Sequence, residues 1–333
     1  MSFVSYAQNL EDVMLYRALK HVECGFYIDV GASHPVNGSI TKAFYDRGWH
    51  GINIESITES FELFQRHRPE DINLNLAVDN HEGEVIFYEV VGRTSLSTTI
   101  KAYADRHAQA GYKICTHIIR CTTLDSICSK YNISTVHILK IDIEGGEKAL
   151  LEGFTFATVR PWVIVIEAVE PNTMVNVSHE WESLILGRNY KLAYSDGVNR
   201  FYLAVEHSDL QSYFCYPPNA FDDYIVHSHW LALHELSEER AKVEQINSNL
   251  QALENQLSQI QNSLIMQILR RYQTFVEKIL PSGTIRRRFY ELVLTGVKVI
   301  FNEGWKSFFR RLKTYLQNKR ARAARMPVEE RKG

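Results

Sequence analysis

Short apolar runs alternate with helical patterns over the first two-thirds of the chain. Phe26–Val30 reads as a buried strand closed by Gly31, and Gly51–Glu55 as a second. Both are brief and rich in β-branched or aromatic residues, as buried strands are. Asn73–Val78 reads as a third, and Val136–Ile141 and Trp162–Ile166 as central apolar strands. Glu84–Val90 and His117–Cys121 carry more polar residues and suit exposed or inserted strands. Helices are predicted over Ser39–Arg47, Glu59–Arg68 and Leu124–Lys130. Tyr190–Tyr194 and Arg200–Val205 bracket Asp196-Gly197, a hairpin turn signal. Strands alternating with helices predict an α/β fold of Rossmann-like type, a mostly parallel sheet with helices on both faces.

Such sheets bind ligands at the carboxyl ends of their strands. Acidic residues stand at four of those ends: Asp29, Glu55, Asp142 and Glu167. One alone would read as a cap or loop charge; four together suggest a site. After Asp29 the chain runs Val30-Gly31-Ala32-Ser33-His34-Pro35, where Gly31 permits close backbone approach to a ligand. The loop lacks the GxGxxG pattern that cradles a pyrophosphate, which counts against an NAD-dependent oxidoreductase. Glu55 can accept both hydroxyls of a ribose. A ribose-binding acid without a pyrophosphate loop suits an adenosyl ligand that carries no phosphate. In Leu139–Glu147, Asp142 and Glu144 are two apart at a strand end and can point the same way. Glu147 is read as a charge at a helix N-terminus.

Taken in order, Phe26–Gly31, Gly51–Glu55, Asn75–Val78 and Leu139–Leu151 (LKIDIEGGEKALL) resemble the FkbM-type methyltransferase family. Ser5–Asp12, Arg160–Trp162, Asp196–Tyr202 and Pro217–Asn219 resemble it too, so the likeness spans about residues 3–228. The resemblance implies a class I methyltransferase fold with a seven-stranded sheet, S-adenosylmethionine as donor, and O-methylation of a sugar, glycan, glycolipid or secondary metabolite. It places Asp29, Gly31, Ala32 and Ser33 at the donor, with Asp29, Gly31 and Ser33 lining its methionine part. It further implies that Glu55 holds the ribose, that Ala77 and Val78 lie near adenine, and that Asp142 sits at the reacting end.

An acceptor hydroxyl needs a base or an acidifying metal. Asp142 is the first candidate base or acceptor-orienting group, with Glu144 in support; His34, beside the donor loop, is a further candidate. Asp142 and Glu167 offer hard oxygens that suit Mg²⁺. Thr94–Thr98 suits a lid or acceptor loop, or a polar loop of no function. A non-catalytic, methyltransferase-like scaffold is the competing reading.

Beyond about Trp230 the pattern changes. Val243, Ile246, Leu250, Leu253, Leu257, Ile260 and Leu264 recur in steps of three and four, an a/d seam that predicts a coiled-coil helix and a parallel homodimer through residues 243–264. A helix folded back on its own domain is the alternative. Charge now becomes informative, because the net −2 hides an asymmetry. From Arg270 onward the chain has 17 Lys and Arg against 5 Asp and Glu; the preceding 269 residues have 20 against 34. Residues 281–325 interleave aromatic and basic positions, which suits peripheral contact with an anionic membrane or a solvated basic helix. No nucleic-acid motif accompanies them, and no nucleic acid is expected. The resulting division is 1–228, a methyltransferase-like domain; 229–270, a coiled-coil helix; and 271–333, a basic amphipathic tail. Five scattered cysteines without metal spacing, and no signal-peptide pattern, lead to the expectation of a cytoplasmic protein, peripheral to a membrane at most. Joining the tail to the resemblance suggests a surface-polysaccharide or glycolipid setting.

Overall fold

A computed structural model describes residues 2–324. The chain divides into two units, one ending at Leu236 and the other starting at Ser237. The strands, in chain order, are β1 (Phe3–Ser5), β2 (Phe26–Val30), β3 (His50–Ile54), β4 (Ile72–Leu74), β5 (Ala77–Val78) and β6 (Gly83–Val90). They continue with β7 (Ile114–Thr122), β8 (Ile138–Ile141), β9 (Val163–Glu167), β10 (Tyr190–Ser195), β11 (Asn199–Ala204) and β12 (Tyr224–Val226).

Seven strands form the central sheet, in the order β10-β11-β9-β8-β2-β3-β4. Only β11 runs antiparallel to its neighbours; the other pairings are parallel. Side chains alternate between the two faces, as the pleat requires. On one face, Ile28, Ile52, Leu139 and Ile164 pack with Leu124 and Ile127 of the helix Leu124–Lys130 and with Leu150 of Glu147–Glu152. On the other, Tyr27, Ile138, Val163 and Phe201 pack with Met14 and Leu15 of the helix Glu11–Leu19. The expected α/β sheet with helices on both faces is therefore present. The strand order reverses between β2 and β8, so a crevice opens at their carboxyl ends.

The predicted strand Asn73–Val78 is in fact two. β4 ends at Leu74, and β5 pairs with β7 in a separate three-stranded sheet, β5-β7-β6. Asn75 makes the break: its Nδ2 donates to the carbonyls of Glu55 and Ser56, at 2.9 and 3.1 Å, so the chain turns there. The second sheet holds the strands whose sequence looked exposed, and Ile118 on it is 72% exposed. The predicted helix Ser39–Arg47 shortens to Lys42–Tyr45. Its expected first residues instead spend their hydroxyls on buried partners described below.

In the second unit, the seam residues Val243–Ile260 lie on one helix, His227–Asn262, and are all more than half exposed. Leu264 does not continue that seam. Ser263 takes an extended conformation and its Oγ accepts from Met266 N, so a new helix, Leu264–Ile279, starts there. The final helix, Ile285–Ala324, kinks at Gly304, whose φ is +81°. The last part of the expected tail, residues 325–333, lies outside the described residues. Among the described residues, no helix is long and apolar enough to cross a membrane.

Candidate functional site

A cavity of about 650 Å³ lies at the switch point. It is lined by Asp29, Gly31, Ala32, Ser33, Glu55, Ala77, Val78, Asp142, Glu144 and Glu167, and so gathers every strand-end acid that the sequence singled out. Thr94, Ser95 and Ser97 line it as well, reaching in from the turn between β6 and the following helix.

The floor is the loop after β2. Gly31 has a φ of +71°, and a Cβ there would stand 1.8 Å from the carbonyl oxygen of Asp142. No side chain fits, so β2 and β8 can close up only around glycine. Ser33 is also left-handed, with φ +58°, which aims its N–H at Glu55. Glu55 Oε2 accepts that N–H at 2.7 Å and Oε1 accepts from Ile57 N at 2.8 Å. Each oxygen keeps a further acceptor site for a ligand hydroxyl. Burial pushes the Glu55 carboxyl up, against those two N–H donors and Lys140.

Asp29 is 1% exposed. Its Oδ2 accepts from Thr41 Oγ1 at 2.8 Å, while Oδ1 is buried without a hydrogen-bond partner. Lys140 Nζ lies 3.4 Å from Asp29 Oδ1 and 3.4 Å from Asp142 Oδ2, and donates to the Gly31 carbonyl. Burial alone would pull this ammonium down, but Asp142 and Asp29 outweigh it and the net shift is upward. Sequence reading gave Lys140 no role, because a lysine inside an apolar strand carries no signal of what it faces. Among the described residues it is the one basic residue lining the cavity.

Asp142, Glu144 and Glu167 bring carboxylate oxygens within 4.8 Å of one another. Burial, then the charge of Asp142, pushes Glu144 up to about 9 and Glu167 up to about 10. Burial likewise lifts Glu147 to about 7, but Glu147 Oε1 accepts from the backbone N–H of Ile143 and Gly145 and serves its own turn. His34 does not belong with these groups. It is not among the cavity-lining residues, and its Nδ1 accepts from Val36 N and Asn37 N at 3.0 and 2.9 Å. With that lone pair occupied, the other nitrogen carries the proton, and the ring organises its own turn.

Under the floor lies a polar network that the sequence did not reveal. Arg68, fully buried, donates to the Pro35 carbonyl, to Ser39 Oγ at 2.6 Å and to Thr41 Oγ1 at 2.7 Å. Thr41 in turn holds Asp29, so the guanidinium positions that carboxylate through one hydroxyl.

The raised carboxyls predict a pH dependence. A carboxyl with a raised folded-state pKa binds more protons folded than unfolded above its ordinary value near 4.5. Stability is therefore present at low pH and is lost as pH rises toward the folded value. Between pH 6 and 9 the thermal midpoint should fall. Glu167→Gln should flatten the upper part of this fall, because Glu11 and Glu147 titrate near 7. An unchanged slope in Glu167→Gln would show that these carboxyls are apart in solution.

A buried acidic crevice at the switch point of this sheet, floored by a glycine turn and with a carboxylate ready for a ribose, suits a nucleoside-linked donor. Residues 29–192 match the family model of the methyltransferase FkbM domain. Over these residues the chain is similar to that family, which supports a methyltransferase domain. No curated protein matches the chain.

Proposed function

We propose that this domain transfers a methyl group from S-adenosylmethionine to a hydroxyl of a sugar, glycan, glycolipid or secondary metabolite, with Asp142 accepting the hydroxyl proton. The carrying observation is the convergence of Asp29, Glu55 and Asp142 on one cavity built around Gly31. The donor fits this lining: Glu55 keeps acceptor sites for ribose hydroxyls, and Asp29 Oδ1, ion-paired with Lys140 but without a hydrogen bond, offers a buried acceptor. When bound, S-adenosylmethionine supplies a methyl group already activated on sulfonium. The protein then needs chiefly to align the acceptor and take its proton. Asp142 suits that task, because its side chain is 39% exposed and so open to an acceptor. Glu144 and Glu167, held protonated near neutral pH, offer hydrogen bonds that orient the acceptor oxygen.

Charge narrows the acceptor. With Glu144 and Glu167 neutral, Glu11, Asp29, Glu55 and Asp142 still outnumber the one lysine in the described lining. A phosphate or carboxylate close to the reacting hydroxyl would be repelled, which favours an uncharged polyol. The alternative acidifier is Mg²⁺ held by Asp142 and Glu167; turnover that survives exhaustive chelation would remove it.

Calorimetric titration with S-adenosylmethionine and S-adenosylhomocysteine tests the donor. Binding by the full chain is expected, weakened by about a hundredfold or more in Glu55→Ala, as for a lost pair of charge-assisted hydrogen bonds. A folded wild-type protein that binds neither compound would favour the non-catalytic scaffold.

A further inference from the structure

We propose that the helical segments after Ser263 form a docking face for an anionic lipid surface, independent of the donor site. Three segments follow one another: Leu264–Ile279, then the two arms of the last helix on either side of Gly304. At 100° per residue each has one apolar arc and one polar arc. On the first, Leu264, Ile265, Ile268, Leu269, Phe275 and Ile279 share an arc and are 46–76% exposed. Arg271 and Lys278 border that arc. On the second, Ile285 and Phe289 are 84% and 69% exposed. On the third, Trp305 and Phe309 are 63% and 59% exposed, and Lys306, Arg310 and Lys313 follow along the polar side.

These faces are not all left over from poor packing. A Cβ on Gly296 would stand 2.8 Å from the Phe308 ring, so that phenylalanine packs on the second segment. Tyr272 and Tyr290 meet through their hydroxyls at 2.9 Å, and Arg287 bridges Glu277 and Glu291. The segments thus hold one another, yet large apolar side chains remain outside.

The charge identifies what covers them. From Arg270 onward there are 17 basic and 5 acidic residues, so a second copy of this surface would be repelled and an anionic one attracted. Nucleic acid supplies phosphates but no apolar layer for Leu264, Ile268, Phe289 and Phe309. A leaflet of anionic lipid supplies both, at the depth where amphipathic helices lie. No helix among the described residues can span the bilayer, so the contact is peripheral.

The test is co-sedimentation of the full chain with vesicles of phosphatidylcholine mixed with phosphatidylglycerol, against phosphatidylcholine alone. Binding to the mixed vesicles is expected, at least about tenfold stronger than to the neutral ones and weakened by salt. Replacing Lys306, Arg310 and Lys313 by Gln should lower partition on the order of a hundredfold. The combined Phe289→Ser, Trp305→Ser and Phe309→Ser variant should also release the protein, while helix content and donor binding stay unchanged. No binding, equal binding to neutral vesicles, or a dimer that this aromatic variant makes monomeric would overturn the proposal.

Discussion

Replacing Arg68 by methionine should destabilise the first unit by about 4 kcal/mol, the cost typical of removing one partner from a buried charged network. Arg68 has no exposed surface. Its guanidinium fills five hydrogen-bonding positions: Pro35 O twice, Ser39 Oγ, Thr41 Oγ1 and Asn53 Oδ1. Methionine fills the space but leaves those acceptors unpaired in a region closed to water. Asp71 loses more than packing. It accepts from Tyr27 OH, Gly51 N and Asn53 Nδ2, and its burial, which raises its carboxyl, is opposed partly by the Arg68 charge. Without that charge Asp71 would be driven further toward its neutral form, and neutral Asp71 accepts these donors less well. The expected drop in thermal midpoint is roughly 10 °C for a unit of this size. Arg68→Lys should recover only a small part, because an ammonium cannot present a planar fork to four separate acceptors. Differential scanning calorimetry on the full chain measures this; a midpoint within about two degrees of wild type would show that the network is dispensable.

Where the sequence was legible, local pattern and final environment agreed. Phe26–Val30 is apolar except for one acid near its end, and it forms the predicted strand residue for residue. Leu124–Lys130 begins after Thr123, whose hydroxyl accepts from Ser126 N, a cap with a plain sequence signature. The strand-end acids were readable because a charge beside a buried run has few places to go. Other features depended on contacts between distant residues. Asn75 ends β4 by bonding to the carbonyls of Glu55 and Ser56, and no pattern within Asn73–Val78 shows that. Arg68 reads as the basic last residue of an exposed helix, yet it turns inward to hold residues 35–41. The heptad steps run on to Leu264, but Ser263 is a capping residue and stops the helix one position earlier. His34 stands beside the donor loop in sequence, which made it look like chemistry. Its ring bonds forward to the backbone of its own turn instead.

Asp142→Asn should lower turnover by about 10²–10⁴-fold, the usual contribution of a positioned proton acceptor. Three separate readouts make the assignment testable. Donor affinity should stay near wild type, because the proposed donor contacts are at Glu55 and the Gly31 turn, and the amide keeps the shape of the carboxyl. Folding should not suffer. Asp142 stands within reach of Glu144 and Glu167, and its charge is the second cause, after burial, of the rise of both carboxyls. Removing that charge relieves the repulsion, lets both carboxyls titrate lower, and makes stability fall less steeply between pH 6 and 9. Lys140 keeps Asp29 at 3.4 Å, so the ammonium is not left alone. A variant at least as stable as wild type, with donor bound and turnover lost, has lost the proton acceptor itself. Glu144→Gln sets the comparison: it preserves a hydrogen-bonding group where a protonated acid stood, so its loss should be smaller. If folded Asp142→Asn turns over at the wild-type rate, the acceptor's proton leaves by another route. If donor binding disappears together with turnover, Asp142 holds the donor in place and is not the base.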